Sequence, residues 1–374
     1  MLYCTHESAF GIPVFPKRSM QRGENMAGIT YKCPNCGAYL TFDPDSQQWK
    51  CPLCSSAFPE TELKGKAEAF QKEADKEAEQ SSGAQVVYHC PSCGSEIMTD
   101  ETTVATHCYY CHSPVVLQGK LTADMKPDEV LPFTIGREKA IEEISEWIRT
   151  RKFVPKKFFS KAQIQEMSGV YYPHFVSECQ TEGVLDGEAT TSDVFDEGKY
   201  VVTNTRHYHV RREGRFVFKD ILRPALSKAN RKLTEGVHPF PLENAKPFSG
   251  AFLSGFLAER RDLEADSYRQ EIEQELQGYM NSMLRDTASQ YQTCSASTSS
   301  AMKNIKTKYV LLPTWVLTYP NKKNKDDPYY YVMNGCTGQV CGKLPVDQGR
   351  LWRHGLLAGL IVAALFCVLA YFLF

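Results

Sequence analysis

The chain lacks an excess of either charge. Its 43 lysines and arginines face 44 aspartates and glutamates, a formal net charge of −1 over 374 residues. No global field draws it to nucleic acid or acidic lipid, so any basic surface must be local. No G-x-x-x-x-G-K-[ST] phosphate loop occurs anywhere, which removes the usual ATP cradle. No N-terminal stretch has the apolar core of a signal peptide, so the bulk is expected in a reducing cytoplasm. No nucleophile–base pairing stands out, and catalysis is not expected. Residues 27–120 contain no arginine, and their seven lysines are outnumbered by twelve acidic residues. Phosphate contact needs Lys or Arg, so this segment suits protein contact or a spacer better than nucleic acid.

Cysteine, in contrast, is abundant: 14 residues, eight of them in two quartets. "YKCPNCGAYLTFDPDSQQWKCPLC" carries Cys33, Cys36, Cys51 and Cys54, and "YHCPSCGSEIMTDETTVATHCYYC" carries Cys90, Cys93, Cys108 and Cys111. In both, two Cys-x-x-Cys pairs are separated by fourteen residues, and the second copy follows the first by 57. In a reducing compartment such pairs read as metal ligands. Two intervening residues let one tight turn aim both sulfurs at one ion. Gly37 and Gly94 can take positive φ there, and Pro34, Pro52 and Pro91 stiffen the turns. The expectation is two zinc ribbons holding two Zn²⁺ in closed four-thiolate sites with no open catalytic position. Each ribbon alone is too small for a real core, so the metal is expected to supply its folding energy. His89, His107 and His112 flank the cysteines and read as exposed ribbon residues. The other six (Cys4, Cys179, Cys294, Cys336, Cys341, Cys367) are scattered.

The quartets resemble TFIIB-type zinc ribbons. From "YKCPNCGAYL" through "GVYYPHF" to "NGCTGQVCGKLP" and the apolar tail, residues 27–374 look like a group of bacterial tail-anchored, tandem-ribbon membrane proteins. Members are often labelled TFIIB-type zinc ribbon-containing, or primosomal protein N′, after a replication-restart helicase. The missing phosphate loop speaks against the helicase label. The resemblance implies no biochemical activity.

The remaining sequence divides by pattern. Residues 1–25 have no period; Arg22-Gly23-Glu24 can be encoded as a ribosome-binding site, so translation is expected to start at Met26, the alternative being a short disordered tail. Ribbons at 26–63 and 86–120 flank a charged helical linker at 64–85. The connector at 121–168 holds an amphipathic helix with Ala140, Ile141, Ile144, Trp147 and Ile148 on one face, then a short helix stopped by Gly169. Between them Arg149, Arg151, Lys152, Lys156, Lys157 and Lys161 mix with Phe153, Phe158 and Phe159 without an acid. They form a candidate contact for anionic lipid or nucleic acid, set against a solvated loop with its phenylalanines in the core.

Residues 169–349 read as a β-rich domain interrupted by a helix near 258–290, with Tyr268, Ile272, Leu276, Tyr279 and Met283 on its stripe. Arg212-Glu213-Gly214 and Asn334-Gly335 read as hairpin turns. Pro173 and Pro313 share an apolar-Pro-x-aromatic setting and are expected at matching edges or bulges. His207 and His209 share a strand face and read as solvated. Leu356 to Phe374 is uncharged, about 28 Å of helix and enough to cross a bilayer. Arg350 and Arg353 precede it, which puts the bulk in the cytoplasm.

The fold class expected is multidomain α+β: two zinc ribbons projecting from a β-rich domain with a helical insertion, and one C-terminal transmembrane helix over 355–374. The function expected is a membrane-anchored scaffold or adaptor that recruits other membrane or membrane-associated proteins. Its rivals are a nucleic-acid-binding ribbon protein tethered to the membrane and an enzyme with a site in the β-rich domain.

Overall fold

The structure, a computed structural model, describes residues 26–27, 31–63, 87–89, 96–98, 103–107, 114–116, 126–151, 153–155, 167–319 and 329–373. The leader at 1–25, the linker helix at 64–85 and the short helix before Met167 lie outside the described residues.

Strand β1 (Met26–Ala27) precedes the first cysteine copy, which holds β2 (Thr41–Asp43), β3 (Gln48–Lys50) and β4 (Ala57–Phe58). The second copy holds β5 (Val87–His89), β6 (Glu96–Met98), β7 (Thr103–His107) and β8 (Pro114–Val116). The body begins with β9 (Glu129–Val130), α1 (Arg137–Arg149), β10 (Ser168–Glu197) and β11 (Tyr200–Pro224). It continues with α2 (Arg231–Glu235), β12 (Lys246–Pro247), β13 (Leu257–Glu259) and α3 (Arg269–Asp286). Last come β14 (Thr293–Tyr319), β15 (Tyr329–Asn334), β16 (Val340–Gly342) and α4 (Gln348–Leu373).

One ten-stranded sheet organises the body. Its main order is β12-β9-β14-β10-β13-β7-β8, with β11 beside β10, and β15 and β16 beside β14. β5 lies between β1 and β6 in a second sheet, and β2-β3-β4 form a third.

The two prolines sit inside β10 and β14, which are neighbours: Tyr171 faces Pro313 and Pro173 faces Leu311. They are not at sheet edges, as expected, but where each strand changes its other partner. β10 pairs with β13 at Val170–Tyr171 and with β11 from His174. β14 pairs with β9 at Val310–Leu311 and with β15 from Thr314. A residue without an N–H fits such a switch, because no ladder donor is required there. Each proline carbonyl accepts from the residue after its return strand, Ala225 N–H for Pro173 and Gly335 N–H for Pro313, both at 2.9 Å. The two halves are thus alike in pairing as well as in sequence.

Beyond the body, β10, β11 and β14 run on as a three-stranded arm, and 30 residues of β10 amount to roughly 100 Å of strand. The last rung between β10 and β14 is Thr190–Thr293; past it, β10 and β11 form a two-stranded tip closed by Gly198 at φ 67°. Arg212-Glu213-Gly214 is therefore not a turn: it lies mid-strand, opposite Leu185, Val184 and Gly183. Val194, Phe195, Tyr200 and Val201 are exposed at the tip.

α3 covers one face of the arm. It starts at Arg269, later than expected, and buries Ile272, Leu276, Met280 and Leu284. Tyr279 and Met283, assigned to the stripe from sequence, are exposed. Gly183 allows the close approach, since a Cβ there would meet Leu284 Cδ1 at 3.0 Å. The opposite face carries exposed cross-strand ion pairs, among them Arg215–Glu182 at 3.2 Å and Arg211–Asp186 at 3.4 Å.

The first cysteine copy does not project from the body. Leu40, Phe42, Trp49 and Phe58 are buried in one cluster with Phe133, Tyr171, Phe252, Phe256 and Trp315. Phe42 and Trp49 each lie 5.3 Å from the Phe252 ring, and Phe133 stacks on Phe256 at 4.3 Å. Trp49 Nε1 donates to Ala251 O at 2.9 Å, satisfying its polar atom inside the core. This copy therefore draws folding energy from the body's core, and metal is not its sole source.

Candidate metal centre

Two knuckles with the same hydrogen bonds build the first site. Cys33 N–H donates to Ala38 O at 2.6 Å and Gly37 N–H donates back to Cys33 O at 2.9 Å. Cys51 N–H and Ser55 N–H repeat this with Ser56 O and Cys51 O, at 2.8 and 3.0 Å. The residue after each second cysteine is left-handed: Gly37 at φ 76°, and Ser55, without glycine's freedom, at 57°. Cys54 N–H points at Cys51 Sγ, 3.5 Å away, and Asn35 Nδ2 ties the knuckles by donating to Ser56 Oγ at 2.9 Å.

The four sulfurs converge. Cys33 and Cys54 Sγ are 3.5 Å apart, Cys36 and Cys51 Sγ are 3.4 Å apart, and all four lie within 4.8 Å of one another. Tetrahedral zinc thiolates with bonds of about 2.3 Å place their sulfurs about 3.8 Å apart, so the set fits one such ion. Cys33 and Cys51 are buried while Cys36 and Cys54 are exposed, so the site has a core side and a solvent side. The Ser56 hydroxyl and N–H pull the Cys54 thiol down to about 6. Cys36 is lowered by the Ala38 backbone but raised more by the neighbouring thiols and desolvation, to about 12. Four crowded sulfurs cannot all ionise on their own; a divalent cation removes that conflict.

The turn between the knuckles reaches the body. Asp45 Oδ1 accepts from Gly136 N–H at 3.2 Å, at the N-terminus of α1, and Gln47 Nε2 donates to Phe133 O at 2.7 Å. A carboxylate there satisfies an orphan donor and complements the helix dipole. Sequence reasoning missed Asp45, Gln47 and Ser56. For Asp45 and Gln47 the local signal is the polar "DPDSQQ" turn, and their partners Gly136 and Phe133 lie far along the chain, whereas Ser56 acts within its own copy on Cys54, Cys51 and Asn35.

Cys90, Cys93, Cys108 and Cys111 lie outside the described residues, as do His112 and Gly94. The strands that flank them are described and repeat the first copy's register at the 57-residue offset. The Lys32–Tyr39 bridge around the first knuckle corresponds to the His89–Glu96 pair of β5 and β6. Trp49–Phe58 and Lys50–Ala57 correspond to Thr106–Val115 and His107–Pro114. His107 is half-buried on this ladder.

Of the basic run, Arg149 ends α1 and Arg151 lies over the Trp147 ring, 4.8 Å from its centroid; both are exposed. Lys152, Lys156, Lys157 and Lys161 lie outside the described residues. Ala140, Ile144 and Ile148 are α1's buried face, as its periodicity predicts, with Ile141 and Trp147 half-buried. Asn334-Gly335 opens the hairpin turn between β15 and β16, as expected, though the loop is longer than two residues, and Asn334 is also a buried brace. It accepts from Cys336 N–H at 2.9 Å and donates to Val237 O and Pro239 O at 2.9 and 3.0 Å. Burial pushes the Cys336 thiol up to about 12, as expected of an inert reduced cysteine.

α4 is long and apolar enough to cross a membrane: its Gln348–Cys367 window has a mean hydropathy of 1.4 and is 0% buried within the protein.

The chain is 28% identical to the uncharacterized protein YdjG of Bacillus subtilis (strain 168) over 338 residues, covering 90% of this chain and 96% of that protein. No family model and no solved structure matches it.

Proposed function

We propose that the protein is a membrane-anchored, cytosol-facing scaffold that holds two structural Zn²⁺ ions and recruits other proteins to the inner membrane surface. The observation that carries this reading is α4, a helix with no buried face standing out from a folded body. In water such a helix would expose an apolar patch far larger than a soluble monomer tolerates. Arg350 and Arg353 at its start favour the body on the cytoplasmic side.

The first Zn²⁺ is held by Cys33, Cys36, Cys51 and Cys54. The second falls to Cys90, Cys93, Cys108 and Cys111, and the matching ladder registers on either side of them support it. Four thiolates saturate each ion, so both act as structural crosslinks. The long arm with its exposed apolar tip gives the body reach, which suits a scaffold better than a buried catalytic centre.

The test is crosslinking and mass spectrometry of the full-length protein in its own membranes after a carbonate wash. The reading expects retention in the membrane fraction and crosslinks to a small set of proteins. Extraction by carbonate, or crosslinks to nucleic acid alone, contradicts it.

A further inference from the structure

We propose that the C-terminal end of α1 and the first turns of α4 form one arginine collar that binds the headgroups of anionic phospholipids. The proposal rests on the membrane reading above and adds a ligand class to it.

In sequence, the basic run after α1 and the pair Arg350 and Arg353 are far apart; the fold joins them. Asp347 N–H donates to Phe153 O at 2.7 Å. Arg350 Nη1 donates to Val154 O at 3.3 Å. The Phe153 ring meets the His354 ring edge-on, 5.6 Å between centroids. Arg149 and Arg151 therefore sit at the same end of the molecule as Arg350 and Arg353, at the point where α4 leaves the body.

The charge at this end is largely unspent. Among the described residues, no carboxylate forms an ion pair with Arg149, Arg151 or Arg353, whereas Arg206, Arg211, Arg215 and Arg231 elsewhere each meet one. Asp347 approaches Arg350 at 3.9 Å. Arg149 and Arg353 each use Nε on a carbonyl of their own helix, Ser145 O and Gly349 O, both at 3.3 Å. That leaves the paired Nη groups, the part of a guanidinium that grips phosphate oxygens.

The surroundings are those of a bilayer interface. Leu351 and Trp352 are exposed one turn before the uncharged stretch begins at Leu356, and aromatic residues favour that depth. An open apolar recess lined by Phe153, Trp352, Gly355, Leu356 and Gly359 runs from the collar along α4. A phospholipid has the matching order of parts, phosphate above and acyl chain below; nucleic acid has no counterpart for the recess.

The test uses the full-length chain in bilayers of phosphatidylcholine alone or mixed with phosphatidylglycerol, read by amide hydrogen exchange over 149–155 and 347–353. The expected result is slower exchange by about tenfold or more in the anionic bilayer. The variant Arg149→Gln/Arg151→Gln/Arg353→Gln should lose that difference while resisting carbonate and keeping its β-rich circular dichroism. Equal exchange in both bilayers, with the wild-type chain carbonate-resistant, overturns the collar and leaves the anchor standing. Washing out of both bilayers overturns anchor and collar together. Stronger protection by an oligonucleotide than by phosphatidylglycerol assigns the collar to nucleic acid and also overturns the proposal.

Discussion

The two cysteine copies share a spacing and a strand register, yet they join the rest of the molecule by different forces. The first is attached chiefly by side chains, beside a backbone bond from Phe42 N–H to Ser254 O at 2.9 Å: Trp49 and Phe42 enter the aromatic core, and Asp45 and Gln47 hold the segment around the start of α1. The second adds a backbone ladder to its buried Val104 and Ala105 side chains: β7 pairs with β13, Ala105 opposite Ala258, and so extends the ten-stranded sheet. The residues at equivalent positions explain the division. Thr106 and Val115 stand where the first copy has Trp49 and Phe58. Small side chains at Ala105 and Ala258 suit a close strand pair, whereas an indole needs a pocket and a carbonyl partner. A repeated cysteine spacing can thus be kept while the residues around it differ to suit a different neighbour.

The comparison can be broken most directly at Trp49. Trp49→Ala should cost about 3–5 kcal/mol of stability, measured by denaturant unfolding with metal present. A cost below about 1 kcal/mol would mean that the first copy is not part of the body's core. Acidification can probe the body apart from the cysteine quartets. Burial pushes His174 down to about 4, with His238 nearby adding to the shift and Tyr172 O, 3.2 Å from Nδ1, opposing it. Because its folded pKa lies below the unfolded value of about 6.5, its contribution is present above pH 6.5 and is lost as pH falls toward 4. About 3 kcal/mol is at stake. His174→Asn should flatten the pH dependence of unfolding in that window relative to wild type; an unchanged slope would assign the acid sensitivity to metal loss.

In the second copy, Val115→Ala should cost about 2 kcal/mol, less than Trp49→Ala, because the backbone ladder to β13 remains. A larger loss than at Trp49 would reverse the proposed division of forces. The smallest effect is expected at Asp45→Ala, about 1 kcal/mol, with faster amide exchange confined to the start of α1. Unchanged exchange there would show that the Asp45–Gly136 contact does not hold the helix.

The convergence of Cys33, Cys36, Cys51 and Cys54 was legible because knuckle geometry is local: two residues, one turn, one left-handed position at Gly37. α1 was legible because its buried face has an unbroken helical period. The stripe of α3 was harder, since Tyr279 and Met283 keep the same spacing as Met280 and Leu284, and only contact with the arm selects between them. Arg212-Glu213-Gly214 resembles a turn in isolation, but pairing with β10 carries the strand straight through it. The seating of the first copy depends on Phe252 and Phe256, some two hundred residues away, and no local pattern encodes it.

The central claim is that each quartet holds one metal ion, the first as part of the body's core. Native mass spectrometry of detergent-released, full-length protein tests it most directly. The account predicts two zinc ions per wild-type chain, and one in each of the variants Cys33→Ser/Cys36→Ser and Cys90→Ser/Cys93→Ser. A wild-type chain with one ion or none, or a ratio unmoved by the second pair of substitutions, would contradict it.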